Sequence, residues 1–139
     1  MQGLWLAQDA LYCCGLLEVS VDMAERVMLL FGWGPEEVGR ASSLLYIVET
    51  ASAMDIEVQV FLYAEGVVLA RAGTTEKMDP RIGERFNRLL RDEKVRFYAC
   101  SEATHKRAIG EKDLSPSISI IGYATFLEMA FGAKAVITI

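Results

Sequence analysis

Histidine and cysteine are scarce in this chain, with one His (His105) and three Cys (Cys13, Cys14 and Cys100) among 139 residues. So few ligating side chains leave no Cys/His cluster at zinc spacing, and no metal site is expected. Three thiols cannot build a disulfide framework, and a bridge between the neighbours Cys13 and Cys14 would be strained. A reducing compartment, the cytoplasm, is the expected location. Long hydrophobic runs are also missing. No apolar stretch approaches the roughly 18 to 20 residues that cross a bilayer, so no membrane span is expected. Positive charge is in deficit as well: 14 Lys and Arg face 19 Asp and Glu, a net charge of −5. That balance supplies no field for a phosphate backbone and argues against nucleic acid as a partner.

What the chain has in plenty is apolar surface. Hydrophobic residues make up 53% of it and the mean hydropathy is +0.26, values that exclude a disordered tail. The length suits one domain, and the apolar excess beyond its core points to contact between subunits, as a homodimer, trimer or hexamer. The first 25 residues stand apart: they contain no Lys or Arg, and they hold Asp9, Glu18, Asp22 and Glu25. Their apolar residues Leu4, Trp5, Leu6, Leu11, Tyr12, Leu16 and Leu17 loosely fit a short amphipathic helix. Without a basic n-region this is not a secretory signal. Residues 1–24 therefore read as an N-terminal extension, either a docking helix or upstream sequence from a misplaced start, ahead of a domain over 25–139.

From Arg26 onward short apolar runs recur at 27–31, 58–63, 95–99, 118–121 and 135–139, near-continuous as in strands covered on both faces. Helical spacing fills the intervals. Val38, Ala41, Leu45 and Val48 share a face of 35–54; Ile82, Phe86 and Leu89 share one of 79–92; Tyr123, Phe126, Leu127 and Ala130 share one of 122–132. Shorter helices are expected at 101–109 and 66–72. This alternation predicts an α/β fold, a three-layer α/β/α sandwich around a five-stranded, mainly parallel sheet.

In such folds ligands bind beyond the carboxyl ends of the strands. Four junctions meet that description: Gly32-Trp33-Gly34-Pro35, Ala64-Glu65-Gly66, Cys100-Ser101 and Gly122-Tyr123. Cys100 attracts most interest, since it follows an apolar strand and precedes a helix whose free N–H groups and dipole favour a thiolate. Ser101 is placed to cap that helix, and Glu65, Gly66, Gly34, His105 and Gly122 are candidates to line or support the cleft. A phosphatase loop is excluded, because position 106 is Lys, Arg107 comes one place late and 101–109 has no glycine. No second Cys sits at dithiol spacing from Cys100, and Gly32-x-Gly34 lacks the third glycine of a dinucleotide fingerprint. Arg81, Arg85 and Arg88 read as a solvated helix face.

The segment 95–114, VRFYACSEATHKRAIGEKDL, resembles the signature of the DsrE/DsrF-like family, in which a strand ends in a cysteine followed by a short helix and an Asp-Leu turn. Residues 118–139, containing GYATFLEMAFGAKAVITI, are similar to the family's closing helix and strand, and 57–66, EVQVFLYAEG, to its second strand and glycine loop. The resemblance covers about residues 25–139. It implies a three-layer domain that forms homo- or hetero-oligomers and carries sulfane sulfur as a persulfide on the cysteine after strand three, here Cys100. With no second cysteine in 93–108, the chain resembles the single-cysteine type. No metal or organic cofactor is required.

The expected function is accordingly a sulfur carrier, sulfurtransferase-like, that takes sulfane sulfur from a donor protein and passes it to an acceptor thiol. The alternative is a non-catalytic oligomeric binding or regulatory subunit in which Cys100 is inert.

Overall fold

The computed structural model describes residues 25–139. The expected extension 1–24, with Cys13 and Cys14, lies outside the described residues. The elements run in the order β1 (Arg26–Phe31), α1 (Val38–Ala53), β2 (Glu57–Leu62), α2 (Pro80–Leu90), β3 (Val95–Cys100), α3 (Ser101–Lys106), β4 (Ser119–Ile121), α4 (Tyr123–Phe131) and β5 (Ala135–Thr138). Three short 3-10 helices, Ala64–Ala70, Thr75–Lys77 and Glu111–Asp113, sit in the connections. The five strands form one sheet in the order β4-β3-β2-β1-β5, and every strand pair is parallel.

Register shows how the layers arise. Val27, Leu29 and Phe31 stand beside Val58, Val60 and Leu62, which in turn stand beside Val95, Phe97 and Ala99. Strand alternation sends this row to one face of the sheet, where the Phe97 ring meets Phe86 of α2 at 4.9 Å. The intervening row includes Leu30, Phe61 and Tyr98 and faces the other way, where Phe61 stacks on Phe126 of α4 at 4.6 Å. Helices thus cover both faces, giving three layers.

Local sequence accounts for the helices. Asp79 caps α2 by accepting the Arg81 N–H at 2.9 Å, Pro80 occupies the first turn, where no N–H is needed, and Ile82, Phe86 and Leu89 are buried. In α1 the buried residues are Ala41, Leu44, Leu45, Val48 and Ala51. The expected face is rotated: Val38 is exposed and Leu44 takes its place in the core. The helix also starts at Val38 rather than 35, because Pro35 and Glu36 form a turn. The expected helix at 66–72 is a 3-10 helix over Ala64–Ala70, entered through Ala64 at φ 49°. The helix expected over 101–109 ends at Lys106, since Ala108 turns to φ 55°.

The run at 135–139 departs most from its expected setting. Read as a strand covered on both faces, it is an edge strand, with Ala135, Val136 and Thr138 exposed. Of the α4 residues expected to share a core face, Phe126 and Ala130 pack on the core, whereas Tyr123 and Leu127 are each half exposed.

Two glycines make opposite demands. A β-carbon at Gly83 would lie 2.3 Å from the Thr75 carbonyl oxygen, while one at Gly39 would meet nothing within 4 Å. Gly83→Ala is expected to destabilise the fold by about 1 to 3 kcal/mol through overpacking. Gly39→Ala is expected to stabilise it by about 0.5 kcal/mol through the loss of glycine's backbone entropy in α1. Urea midpoints at constant slope check both signs.

Candidate functional site

Cys100 is the last residue of β3 and the residue from which α3 departs. Its side chain shares a sheet face with Tyr98 and Phe61 by strand alternation, and it is fully buried, at 0% exposure. It makes no capping hydrogen bond at the start of α3. The expected contacts from helix amides to the sulfur are therefore not formed, although the backbone of Cys100, φ −67° and ψ 127°, has the extended shape usual at a cap position.

The group that reaches the sulfur comes from another element. Cys100 pairs in register with Ile121 at the end of β4, so the turn at Gly122 brings Tyr123, the first residue of α4, above it. The Tyr123 hydroxyl stands beside the Cys100 sulfur, and its interaction with that sulfur, followed by partial burial and by the charges of Cys100 and Glu102, pushes the phenol up to about 12. Phe61 steadies the ring edge-on at 6.1 Å and lies 6.4 Å from the parallel ring of Tyr63. The thiol is thus roofed by a hydroxyl on an aromatic cluster.

Ser101 begins α3 and does not cap it: the helix starts at Ser101 itself, so the cap position falls to Cys100. Thr104 fastens the turn from within, its hydroxyl donating to the carbonyls of Cys100 at 3.0 Å and Ser101 at 2.9 Å. Gly122 borders Ser101, since a β-carbon there would stand 3.6 Å from Ser101 Oγ. Cys100, Ser101 and Gly122 therefore come together, with Tyr123.

The other candidates lie further off or are engaged elsewhere. Glu65 is bound to Arg107 at 2.6 Å, a pair that ties the end of α3 to the 3-10 helix and takes up that carboxylate. Gly66 is buried beneath it, and a β-carbon there would come within 2.3 Å of the Phe31 carbonyl oxygen, so only glycine lets the β2 turn rest on the end of β1. His105 is exposed in the last turn of α3. Gly34 follows β1, two strands away from β3. Arg85, read as solvated, instead pairs with Glu49 at 2.8 Å and covers the Tyr46 ring at 4.3 Å.

Tyr123 is the residue that sequence reasoning missed as part of the site. Its place beside a strand-end glycine was visible, but its helical spacing read as core. A second feature also escaped notice: a cavity of about 500 Å³ lined by Pro35, Val68, Arg71, Lys77 and Met78 among others. Cys100 is not among its lining residues. Among the described residues no three His, Cys, Asp or Glu gather to hold a metal ion, and no helix is long and apolar enough to cross a membrane.

A parallel three-layer sheet with a cysteine ending its third strand defines a class of small α/β domains, and the comparisons narrow it. The sequence model of the DsrE/DsrF-like family matches residues 25–139, and the chain belongs to that family. It is similar to the uncharacterized protein MJ0760 of Methanocaldococcus jannaschii, at 24% identity over 114 residues covering 79% of this chain. The chain spans 41% of that relative's length. Among solved structures, the ychN protein from E. coli matches with a TM-score of 0.68 at 16% identity, covering 83% of this chain and 99% of that one. MTH1491 of Methanobacterium thermoautotrophicum, described as of unknown function, matches with a TM-score of 0.66 at 19% identity, covering 81% and 98%. Both carry the same fold.

The raised phenol has a directional consequence. Because the fold favours neutral Tyr123, the stabilisation that this preference contributes is present below the ordinary value near 10 and is lost as pH rises toward about 12. A 295 nm titration of the chain's 5 tyrosines is expected to show one late step that vanishes in Tyr123→Phe. That step is expected to move toward the ordinary value in Cys100→Ala, since Cys100 is the largest cause of the shift.

Proposed function

We propose that the protein is a sulfur carrier, sulfurtransferase-like, that holds sulfane sulfur as a persulfide on Cys100 and passes it to an acceptor thiol. The observation that carries this reading is a cysteine at the end of β3 with the Tyr123 side chain beside it, in a chain of the DsrE/DsrF-like family. The chemistry balances without an external oxidant. The Cys100 thiolate attacks the outer sulfur of a donor persulfide, the donor's S–S bond breaks as the new Sγ–S bond forms, and the donor leaves as a thiolate that takes up the proton Cys100 gave up. An acceptor thiolate then repeats the step on Cys100. Ser101 follows the reacting cysteine and Gly122 borders Ser101, while Glu65, Gly66, Gly34 and His105 play at most supporting parts. The reaction requires no metal or organic cofactor.

Donor and acceptor proteins are the proposed partners, and the cytoplasm, where thiols stay reduced, is the proposed location. Self-association is part of the reading. Exposed Leu127 and Phe131 of α4 and Val136 of β5 support it, and light scattering at micromolar concentration is expected to give a mass above the monomer.

A second reading is favoured by one observation, the complete burial of Cys100. In it the chain is a non-catalytic oligomeric binding or regulatory subunit and the thiol is inert. Alkylation at neutral pH separates the two: rapid, site-selective modification of Cys100 supports the carrier, and no modification before unfolding supports the subunit.

Loading tests the carrier directly. After incubation with polysulfide and removal of the excess, peptide mass spectrometry is expected to place one added sulfur on Cys100, none at that position in Cys100→Ser, and unchanged loading in Cys13→Ser with Cys14→Ser. Loss of loading in the folded double variant would replace the single-cysteine mechanism with one that uses a resolving thiol.

A further inference from the structure

On the face of the sheet away from Cys100, α1 and the β1–β5 edge enclose a groove of about 370 Å³. Its walls include Val27, Tyr46, Ile47, Met54, Ile56 and Ile137. The side-chain hydroxyl in this lining that is not a tyrosine's belongs to Thr50, and it is already spent on the Tyr46 carbonyl at 2.7 Å. Such a surface offers nothing to orient a polar small molecule, which needs a few placed polar groups. Tyr46 and Met54 nonetheless stand 62% and 65% exposed. An open apolar groove of this kind calls for an apolar cover.

The chain supplies one at the groove's mouth. Glu25 is held at the amino end of the sheet, its carbonyl accepting the Glu57 N–H at 3.0 Å. Val27, two residues later, and Ile56, just ahead of Glu57, are both groove walls. Glu25 is thus held where the groove opens. The helical rise of about 1.5 Å per residue puts Tyr46 and Met54 about 12 Å apart along α1, a distance that about four extended residues span. Leu16, Leu17, Val19, Val21 and Met23 all fall in the last nine residues before Glu25.

We infer that the apolar residues preceding Glu25 dock in the groove between α1 and the β1–β5 edge of their own chain. A second copy suits the groove less well. A stable interface engages about 20 to 30 residues a side, far more than line this groove, whereas a tethered segment acts at an effective concentration in the millimolar range. The exposed residues that suit contact between copies, Leu127, Phe131 and Val136, belong to α4 and the opposite sheet face. This inference is independent of any sulfur chemistry.

The test uses the full chain. A photo-crosslinking residue, p-benzoylphenylalanine, replaces Tyr46 in one variant and Met54 in a second, and each variant is mixed as light and heavy nitrogen-labelled chains before irradiation. Because the first basic residue is Arg26, trypsin releases 1–26 as one peptide. Both variants are expected to yield that peptide crosslinked to α1 in light–light and heavy–heavy pairs. Adding Leu16→Asp with Leu17→Asp is expected to abolish the product, and the same crosslinker at Phe131 is expected to give none with 1–26. Light–heavy pairs would overturn the inference in favour of a second copy, and so would the absence of 1–26 from the crosslinked products of both folded variants.

Discussion

The register of β3 against β4 decides what surrounds the thiol. Setting Cys100 beside Ile121 leaves one residue, Gly122, to turn the chain from strand into helix. Tyr123 then begins α4 directly over the sulfur. A slip of one residue would carry the Cys100 side chain to the α1 and α2 face, away from Tyr123. Phe61 shares in this constraint. Its ring stacks on Phe126 and meets Tyr123 edge-on, so one side chain from the middle of the sheet holds both the body and the first residue of α4.

The two faces of the sheet have divided their tasks. Toward α1 and α2 the row from Val27 to Phe97 is wholly apolar and closes around Phe86, as a core that supplies stability should. Toward α4 the sheet tolerates polarity: Cys100 meets a hydroxyl there, and Arg26 Nε and Gln59 Oε1 are buried without a hydrogen-bond partner among the described residues. Unpaired buried polar atoms cost about 1 to 3 kcal/mol each. The cost falls on the face that holds Cys100, since Arg26 and Gln59 alternate along their strands with the apolar row of the opposite face.

The strand order 4-3-2-1-5 also sets Cys100 apart from the point at which the order reverses. The order reverses between β1 and β5, where open α/β sheets most often take ligands. Here the Trp33 indole donates to the Ile139 carbonyl at 3.0 Å across that point. Cys100 lies two strands away from β1, and the salt bridge from Arg107 to Glu65 ties the end of α3 to the 3-10 helix that follows β2.

Local pattern by itself determined the number of strands and their succession along the chain, the placement of α2 by Asp79 and Pro80, and the position of Cys100 at a strand end. These rest on periodicity, capping and punctuation, which act within a few residues of one another. It misjudged Val38, β5 and Leu127, because helical spacing and apolar runs mark what an element is able to bury and say nothing of which neighbour arrives. Only the tertiary structure placed β5 on an edge, gave the Glu65 carboxylate to Arg107 and set Tyr123 above Cys100. Each of those joins residues more than twenty positions apart, and pairing at that range is settled by register and by which sheet face a helix crosses.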